Sequence, residues 1–93
     1  MHVYSAFLHL HLPSRSLKDK RGIINSILAR ARHKFNVASA EVGMQDVHGV
    51  AQLGFVTVGE NSVKVRHVLE QLEEWLVDEW PDVEVVDFDI EAR

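Results

Sequence analysis

The chain has 93 residues, of which 46% are hydrophobic and 26% charged, and its formal net charge is −4. This length predicts a single domain over residues 1–93 with one modest core, and the composition is that of an ordinary globular protein. The absence of cysteine excludes disulfides and thiolate metal sites, and the acidic total argues against a protein that coats nucleic acid indiscriminately.

The first predicted element is a strand from His2 to Leu12, ended by Pro13. Its two faces alternate cleanly, with Tyr4, Ala6, Leu8, Leu10 and Leu12 on one side and Val3, Ser5, Phe7, His9 and His11 on the other. The N-terminal residues therefore lack the pattern of a signal peptide, which has a cationic start followed by a long apolar run. Nothing approaches the roughly twenty apolar residues of a membrane span. We therefore expect a cytoplasmic protein that makes no membrane contact.

A helix is predicted next, from a cap at Ser16 to about Lys34 or Phe35. Ser16 and Asp19 have the spacing of a capping box, in which each side chain satisfies an amide of the first turn. Apolar residues then recur at spacings of three, four and seven, which predicts one buried stripe formed by Leu17, Ile24, Ile27 or Leu28, Ala31 and Phe35. Asn36 suits a left-handed cap at the end of the helix.

Cations crowd both ends of this helix, although a helix N-terminus disfavours them. Residues 1–35 carry seven Lys or Arg and one acid, whereas residues 36–93 carry three Lys or Arg and thirteen acids. Free amides, serine hydroxyls and cations together suit a phosphate or RNA-backbone contact. We predict such a contact at Ser14, Arg15, Ser16, Lys18, Lys20, Arg21, Arg30, Arg32 and Lys34. The alternative interpretation is a solvated charged face that serves solubility alone.

Two strands and a hairpin loop follow the helix. The second strand is predicted from Val37 to Gly43, with Ala38, Ala40 and Val42 on its apolar face. Residues 44–49 are polar and end in glycine, as a hairpin loop would. The third strand, residues 50–59, is apolar on both faces and is therefore expected at the centre of a sheet.

The chain ends with a second helix and a fourth strand. The helix is predicted from about Ser62 to Glu79, with an apolar stripe formed by Val65, Leu69, Leu72 and Leu76. Trp80-Pro81 stops it because the residue before proline avoids the helical conformation. The fourth strand is predicted over residues 83–90. We interpret Trp75 and Trp80 as core or helix-end anchors rather than stacking platforms.

The order strand, helix, strand, strand, helix, strand forms two βαβ halves. With right-handed crossovers these halves give a ferredoxin-like α+β sandwich. The prediction is an antiparallel sheet in the order 4-1-3-2 with both helices on one of its faces.

Three segments of the chain carry a resemblance to a known family: residues 14–21 (SRSLKDKR), residues 35–43 (FNVASAEVG) and residues 53–55 (LGF). Over essentially its whole length the chain resembles the YlxP-like bacterial family, a domain of unknown function. The resemblance implies a small cytosolic ferredoxin-like protein without an established enzyme activity. It also implies genes that often lie near those for translation initiation and ribosome maturation factors. Gly22 departs from the family, whose members more often carry a basic or apolar helix former there.

The sheet face away from the helices is the second candidate site. Its residues are expected to include Phe7, His9, His11, Val56, Val58, Val85, Asp87 and Asp89. Because the first and fourth strands are predicted neighbours, His9 and His11 are expected to pair with Asp87 and Asp89. Zinc accepts these ligand types. Paired histidines on an exposed sheet usually bind no metal, however, and no metal site is predicted.

Two functions from different classes follow. The first is an RNA- or ribosome-associated accessory factor that binds phosphate through the basic N-terminal end of the first helix. The alternative is a homodimeric or protein-interaction module on the open sheet face, since monomers rarely leave an apolar strip uncovered. No cofactor or small-molecule ligand is predicted. No enzyme is predicted either, because the loop Pro13-Ser14-Arg15 lacks the glycine of an acylphosphatase-type site and no other catalytic constellation is present.

Overall fold

Six elements follow one another in the computed structural model, which describes residues 1–93. They are β1 (His2–His11), α1 (Leu17–Lys34), β2 (Ala38–Gly43), β3 (Val50–Gly59), α2 (Ser62–Glu79) and β4 (Glu84–Ala92). All strands belong to one antiparallel sheet in the order β2-β3-β1-β4, so the predicted ferredoxin-like α+β fold and strand order are confirmed. Neither helix has the length and apolar character that crossing a membrane requires.

The core lies between the sheet and the two helices. The central strands β1 and β3 pair over ten residues and bury one face of each. α2 contributes the stripe that its period predicts. The large apolar side chains that are fully buried include Leu8, Leu10, Leu53, Phe55, Ile27, Leu69, Leu72 and Leu76. Each contributes about 1.5–3 kcal/mol by leaving water, which makes this layer the main source of stability.

Side-chain caps fix where the helices begin. Ser16 Oγ accepts a hydrogen bond from the amide of Asp19 at 3.1 Å, which is one half of the predicted capping box. The side chain of Asn61 accepts from the amide of Lys64 at 3.1 Å and begins α2 in the same way. Each cap supplies a hydrogen-bond acceptor to one of the first-turn amides that have no partner within the helix.

The end of α1 differs from the prediction. Phe35 leaves the helix in an extended conformation, and its amide donates to the carbonyl of Ala31 at 2.8 Å. Asn36 is not left-handed, since the one non-glycine residue with positive φ is Met44 in the β2–β3 loop. The left-handed cap predicted at Asn36 is therefore wrong. The extended Phe35 instead lets its ring pack edge-on against Trp75, with 5.5 Å between the ring centroids.

The apolar side of β2 faces away from the helices. Its inward residues are Ser39 and Glu41, which lie opposite the buried Phe55 and Leu53 of β3. Ser39 Oγ donates a hydrogen bond to the carbonyl of Leu28 in α1 at 3.3 Å, so the inward side of β2 contacts α1 through polar groups. The predicted alternation is present, but Ala38, Ala40 and Val42 lie on the open face of the sheet.

A bulge in β4 changes which side its first residues face. Asp87 lies opposite His9 and Val85 opposite Leu10, so Val86 is an extra residue between them. One inserted residue reverses the side of every residue before it. Val85 therefore packs against the core, and its predicted place on the open face is wrong.

Candidate nucleic-acid interface

Three of the predicted phosphate-binding cations lie exposed at the beginning of α1. Arg15 precedes the helix, and Lys18 and Arg21 lie on its first two turns. None of the three has a carboxylate within 4.0 Å. Ser16 is also exposed, although its hydroxyl is occupied by the cap. The charges at this end of the helix are thus free to pair with an anion.

Lys20 is not part of this exposed group, and the structure corrects its predicted placement. Its side chain is 1% exposed, and Nζ donates to the carbonyls of Met44 and Val47 at 2.5 and 2.7 Å. Nζ also lies 3.0 Å from Glu41 Oε2. The reason is helical geometry, because residue 20 precedes Ile24 and Ile27 by four and seven positions and lies on their buried stripe.

Ser14 is also buried and unavailable to an anion, so its predicted place in the anion site is wrong. It is 8% exposed, and its hydroxyl donates to the carbonyl of His48. The ring of His48 contacts the carbonyl of Ser14 in return, with Nδ1 at 3.1 Å. The amide of Leu12 donates to the carbonyl of Gly49 at 3.0 Å. These bonds hold the β2–β3 loop against the connection between β1 and α1.

We call the buried group formed by Ser14, Lys20, Glu41 and the loop carbonyls of Met44, Val47 and His48 the Lys20 cluster. Glu41 Oε2 is buried and receives no hydrogen bond, because the Lys20 ammonium is close enough for an ion pair but not aligned to donate to it. The carboxylate therefore depends on charge attraction to Lys20. Losing one member of such a pair leaves an uncompensated buried charge.

Arg30 is committed to the contact between the two helices. Its guanidinium lies 4.8 Å from the ring centroid of Trp80 and 5.7 Å from that of Trp75. Nη2 also donates to Glu79 Oε2 at 3.0 Å. The two tryptophan rings pack edge to face with 5.2 Å between their centroids, and both pack against the core. This agrees with their interpretation as anchors. A shallow groove of about 580 Å³ lies beside Arg30 and Trp75, and it is lined by both basic and acidic side chains.

Arg32 and Lys34 remain available at the C-terminal end of α1. Arg32 Nη1 donates to Ser39 Oγ at 2.9 Å but has no carboxylate partner, and Lys34 is exposed above the ring of Phe35. Sequence reasoning missed His33, an exposed neighbour of both. Its position in the last turn, between two cations, was the signal that could have found it.

Of the ten Lys and Arg residues, Lys20, Arg30, Arg66 and Arg93 form ion pairs. Five of the remaining six lie on or beside α1, and we call them the basic surface: Arg15, Lys18, Arg21, Arg32 and Lys34. Lys18 and Arg32 are fourteen positions apart, which is about four turns and about 21 Å along one side of the helix.

The open face of the sheet carries an apolar patch. Val56 and Val58 of β3 are 43% and 44% exposed, and Val42 of β2 is 57% exposed. Phe7 lies beside them on β1, directly opposite Gly54. The predicted positions of Phe7, Val56 and Val58 on this face are therefore confirmed.

The predicted histidine–carboxylate pairs are rearranged by the β4 bulge. His9 lies opposite Asp87 as predicted, but its Nδ1 is 3.3 Å from Nε2 of Gln52. His11 Nδ1 lies 3.3 Å from Glu84 Oε1, and Asp89 lies opposite Phe7. These side chains bring no three candidate metal ligands together.

Comparison with known proteins agrees with the resemblance drawn from the sequence. The model of a family described as "Protein of unknown function (DUF503)" matches residues 3–90. A protein of Bacillus subtilis (strain 168), described as "Uncharacterized protein YlxP", is 33% identical over 69 residues. The match covers 74% of this chain and 74% of that protein. Neither description names an activity.

Proposed function

Because this chain belongs to the DUF503 family, whose function is unknown, we propose a function from its own surfaces: it binds the phosphate backbone of RNA through the basic surface of α1, without catalysis. The resemblance to the YlxP-like family implies genes that often lie near those for ribosome maturation and translation initiation factors. Ribosomal RNA and the ribosomal subunits are therefore the first targets to test.

The observation that carries the proposal is the distribution of unpaired cations. Five of the six Lys and Arg side chains without a carboxylate partner belong to the basic surface. A cation already paired with a carboxylate must give up that partner to bind phosphate, whereas these five need not. Each phosphate they neutralise releases counterions, which provides affinity and makes it fall with salt.

The middle of the exposed side of α1 suits close approach of a nucleic-acid backbone. Gly22, Asn25 and Ala29 are exposed there, between the cations of the two ends. A Cβ at Gly22 would meet no atom within 4 Å, so the helix is open at this point. Small side chains with long cations on either side favour contact with sugar and phosphate rather than with base edges. We therefore expect weak sequence preference.

The rest of the molecule confines the proposed contact to α1. Acids outnumber cations on α2 and along β4, and the open face of β4 presents Glu84, Asp87, Asp89 and Glu91. RNA recognition on a sheet requires exposed aromatic side chains in basic surroundings. The aromatic rings on the open face are Phe7 and the imidazoles of His9 and His11, and all three lie opposite acids of β4, so the sheet is the less favourable side for RNA.

The experiment compares three forms of the protein for binding to ribosomal RNA and to purified subunits at several salt concentrations. The test variant combines Arg15→Ala, Lys18→Ala and Arg21→Ala. The control combines Lys64→Ala, Arg66→Ala and Arg93→Ala, which removes the same charge from the three Lys and Arg residues outside residues 1–35. We expect the test variant to lose most of its affinity and the control to retain it. Equal binding by the test variant and the unaltered protein, or equal losses in both variants, would contradict the proposal.

A further inference from the structure

The sheet face opposite the helices has no role in the proposed RNA contact, and we propose that it forms a homodimer. Two copies would pack face to face, related by a two-fold axis parallel to the strands. The interface would include the open-face patch, which we define as Phe7, Ala40, Val42, Gly54, Val56 and Val58, with Phe7 and Gly54 at its centre. This inference is independent of RNA binding, because the basic surface lies on the other side of the sheet.

The patch is continuous across three strands and carries no charge. Phe7 and Gly54 lie opposite each other on β1 and β3, and Gly54 lies opposite Ala40 on β2. Val42 leans over Gly54, since a Cβ at Gly54 would lie 2.9 Å from Cγ1 of Val42. Monomeric proteins rarely expose contiguous apolar patches larger than a few hundred Å² unless they bind something. Small residues among larger ones also let two sheets approach to about 10 Å.

The edges of the sheet are protected against pairing with a second copy, which leaves the face. β2 is six residues long, is bulged between Glu41 and Gly43, and points the charged Glu41 inward. β4 is bulged at Val86 and lined with acids. Short strands, bulges and inward charges are features that prevent edge-to-edge association.

The area of the face is sufficient for a specific dimer. The four strands contain 10, 6, 10 and 9 residues. With strands about 4.8 Å apart and residues about 3.3 Å apart, each residue covers about 16 Å², and the face measures roughly 550 Å². If the whole face is covered, two such faces would bury roughly 1,100 Å² together, which lies at the lower end of specific interfaces, from about 1,000 Å² upward. The area therefore fits a second copy of this chain.

The charges on the open face select the orientation of the axis. All four of its carboxylates lie on β4, the outer strand. An axis parallel to the strands places β4 of each copy over the outer strand β2 of the other, at the rim of the interface, where the carboxylates keep contact with water and face only the neutral residues Ala38, Ala40 and Val42. An axis across the strands would instead bring the two β4 strands together, with like charges opposed.

The same axis gives a self-complementary contact at the centre. Phe7 and Gly54 lie side by side in one register row, so Phe7 of one copy would lie over Gly54 of the other, and the reverse. Each ring would meet the flat apolar surface formed by Gly54 and the side chain of Val42. An isologous interface requires such reciprocity.

The first test measures molar mass by light scattering and sedimentation over a wide concentration range. We expect the unaltered protein to be a dimer and Val56→Asp to be a monomer. Val63→Asp is the matched control, because Val63 is 75% exposed on α2, and it should remain a dimer. Circular dichroism confirms that each variant is folded. A monomeric unaltered protein, or a folded Val56→Asp that stays dimeric, would overturn the proposal.

The second test uses the absence of native cysteine. Ala40→Cys and Asp89→Cys are prepared separately, mixed, and treated with a short bis-maleimide. An axis parallel to the strands places residue 40 over residue 89 of the partner, so cross-linked dimers should form in the mixture and not from Ala40→Cys alone. Cross-linking of Ala40→Cys with itself would contradict this axis. RNA binding by folded Val56→Asp should be unchanged per chain, which separates this inference from the proposed function.

Discussion

Lys20 and Arg21 are adjacent in the chain, but they belong to two regions of the molecule with opposite roles. Lys20 lies on the inward side of α1 and is surrounded by a carboxylate and two loop carbonyls. Arg21 lies on the outward side and has no carboxylate partner. The difference shows that a run of cations in a sequence has no common role, because the helical period separates its members into structural and exposed groups.

The largest effect is expected when the inward region is disrupted at Lys20. Lys20→Met keeps most of the length of the side chain but leaves the buried Oε2 of Glu41 without its ionic partner and removes the donor to two loop carbonyls. We expect a loss of about 3–5 kcal/mol in the free energy of unfolding, measured by urea denaturation. Lys18→Met is the matched control on the outward side, and its effect should stay within about 0.5 kcal/mol. Similar losses in the two variants would remove the distinction between the regions.

A double substitution sharpens the same comparison. Lys20→Met combined with Glu41→Leu removes both charges of the pair, so no uncompensated carboxylate remains. We expect the double variant to be more stable than Lys20→Met alone, by about 1–3 kcal/mol, because an unpaired buried charge costs more than an apolar replacement. Additive losses from the two substitutions would show that Glu41 does not depend on Lys20.

A smaller effect is expected at the two serines. Ser14→Ala removes a buried hydrogen bond to the β2–β3 loop, and Ser16→Ala removes the cap of α1. Each should cost about 1 kcal/mol in urea denaturation. The two variants should differ in the loop: hydrogen exchange at residues 44–49 should rise in Ser14→Ala and stay unchanged in Ser16→Ala. The same exchange pattern in both would mean that Ser14 does not hold the loop.

The smallest effect on stability is expected at the outward cations. Arg21→Ala removes an exposed side chain without a partner, so the free energy of unfolding should change by less than about 0.5 kcal/mol. Its affinity for ribosomal RNA should nevertheless fall, which filter binding at low salt would detect. A stability loss comparable with that of Lys20→Met would place Arg21 in the structural group.

The fold could be predicted because its signals are strong. The alternation of β1, the stripes of both helices and the stop at Trp80-Pro81 each point to one structure. The strand order then follows from the two βαβ halves. These signals depend on large apolar side chains whose burial dominates the energy, and the structure agrees with them in every element.

The details of the candidate surfaces were harder to predict for identifiable reasons. Lys20 lies on the apolar stripe, but a lysine there is assumed to be exposed until Glu41 is known to face it. The inward side of β2 is the polar one, so its pattern indicated the wrong face. The bulge at Val86 has no distinct signal, because two adjacent valines are equally compatible with a regular buried strand. In all three cases the missing information was a partner from another element.

The salt dependence of RNA affinity tests the separation of the two regions most directly. The measurement compares the slope of log affinity against log salt for the unaltered protein and for the Arg15→Ala, Lys18→Ala, Arg21→Ala variant. If these three outward cations each neutralise a phosphate, the slope should become shallower by about 2–3 units. The urea stability of the variant should stay close to that of the unaltered protein. An unchanged slope in a folded variant would contradict the central claim that the exposed side of α1 binds RNA.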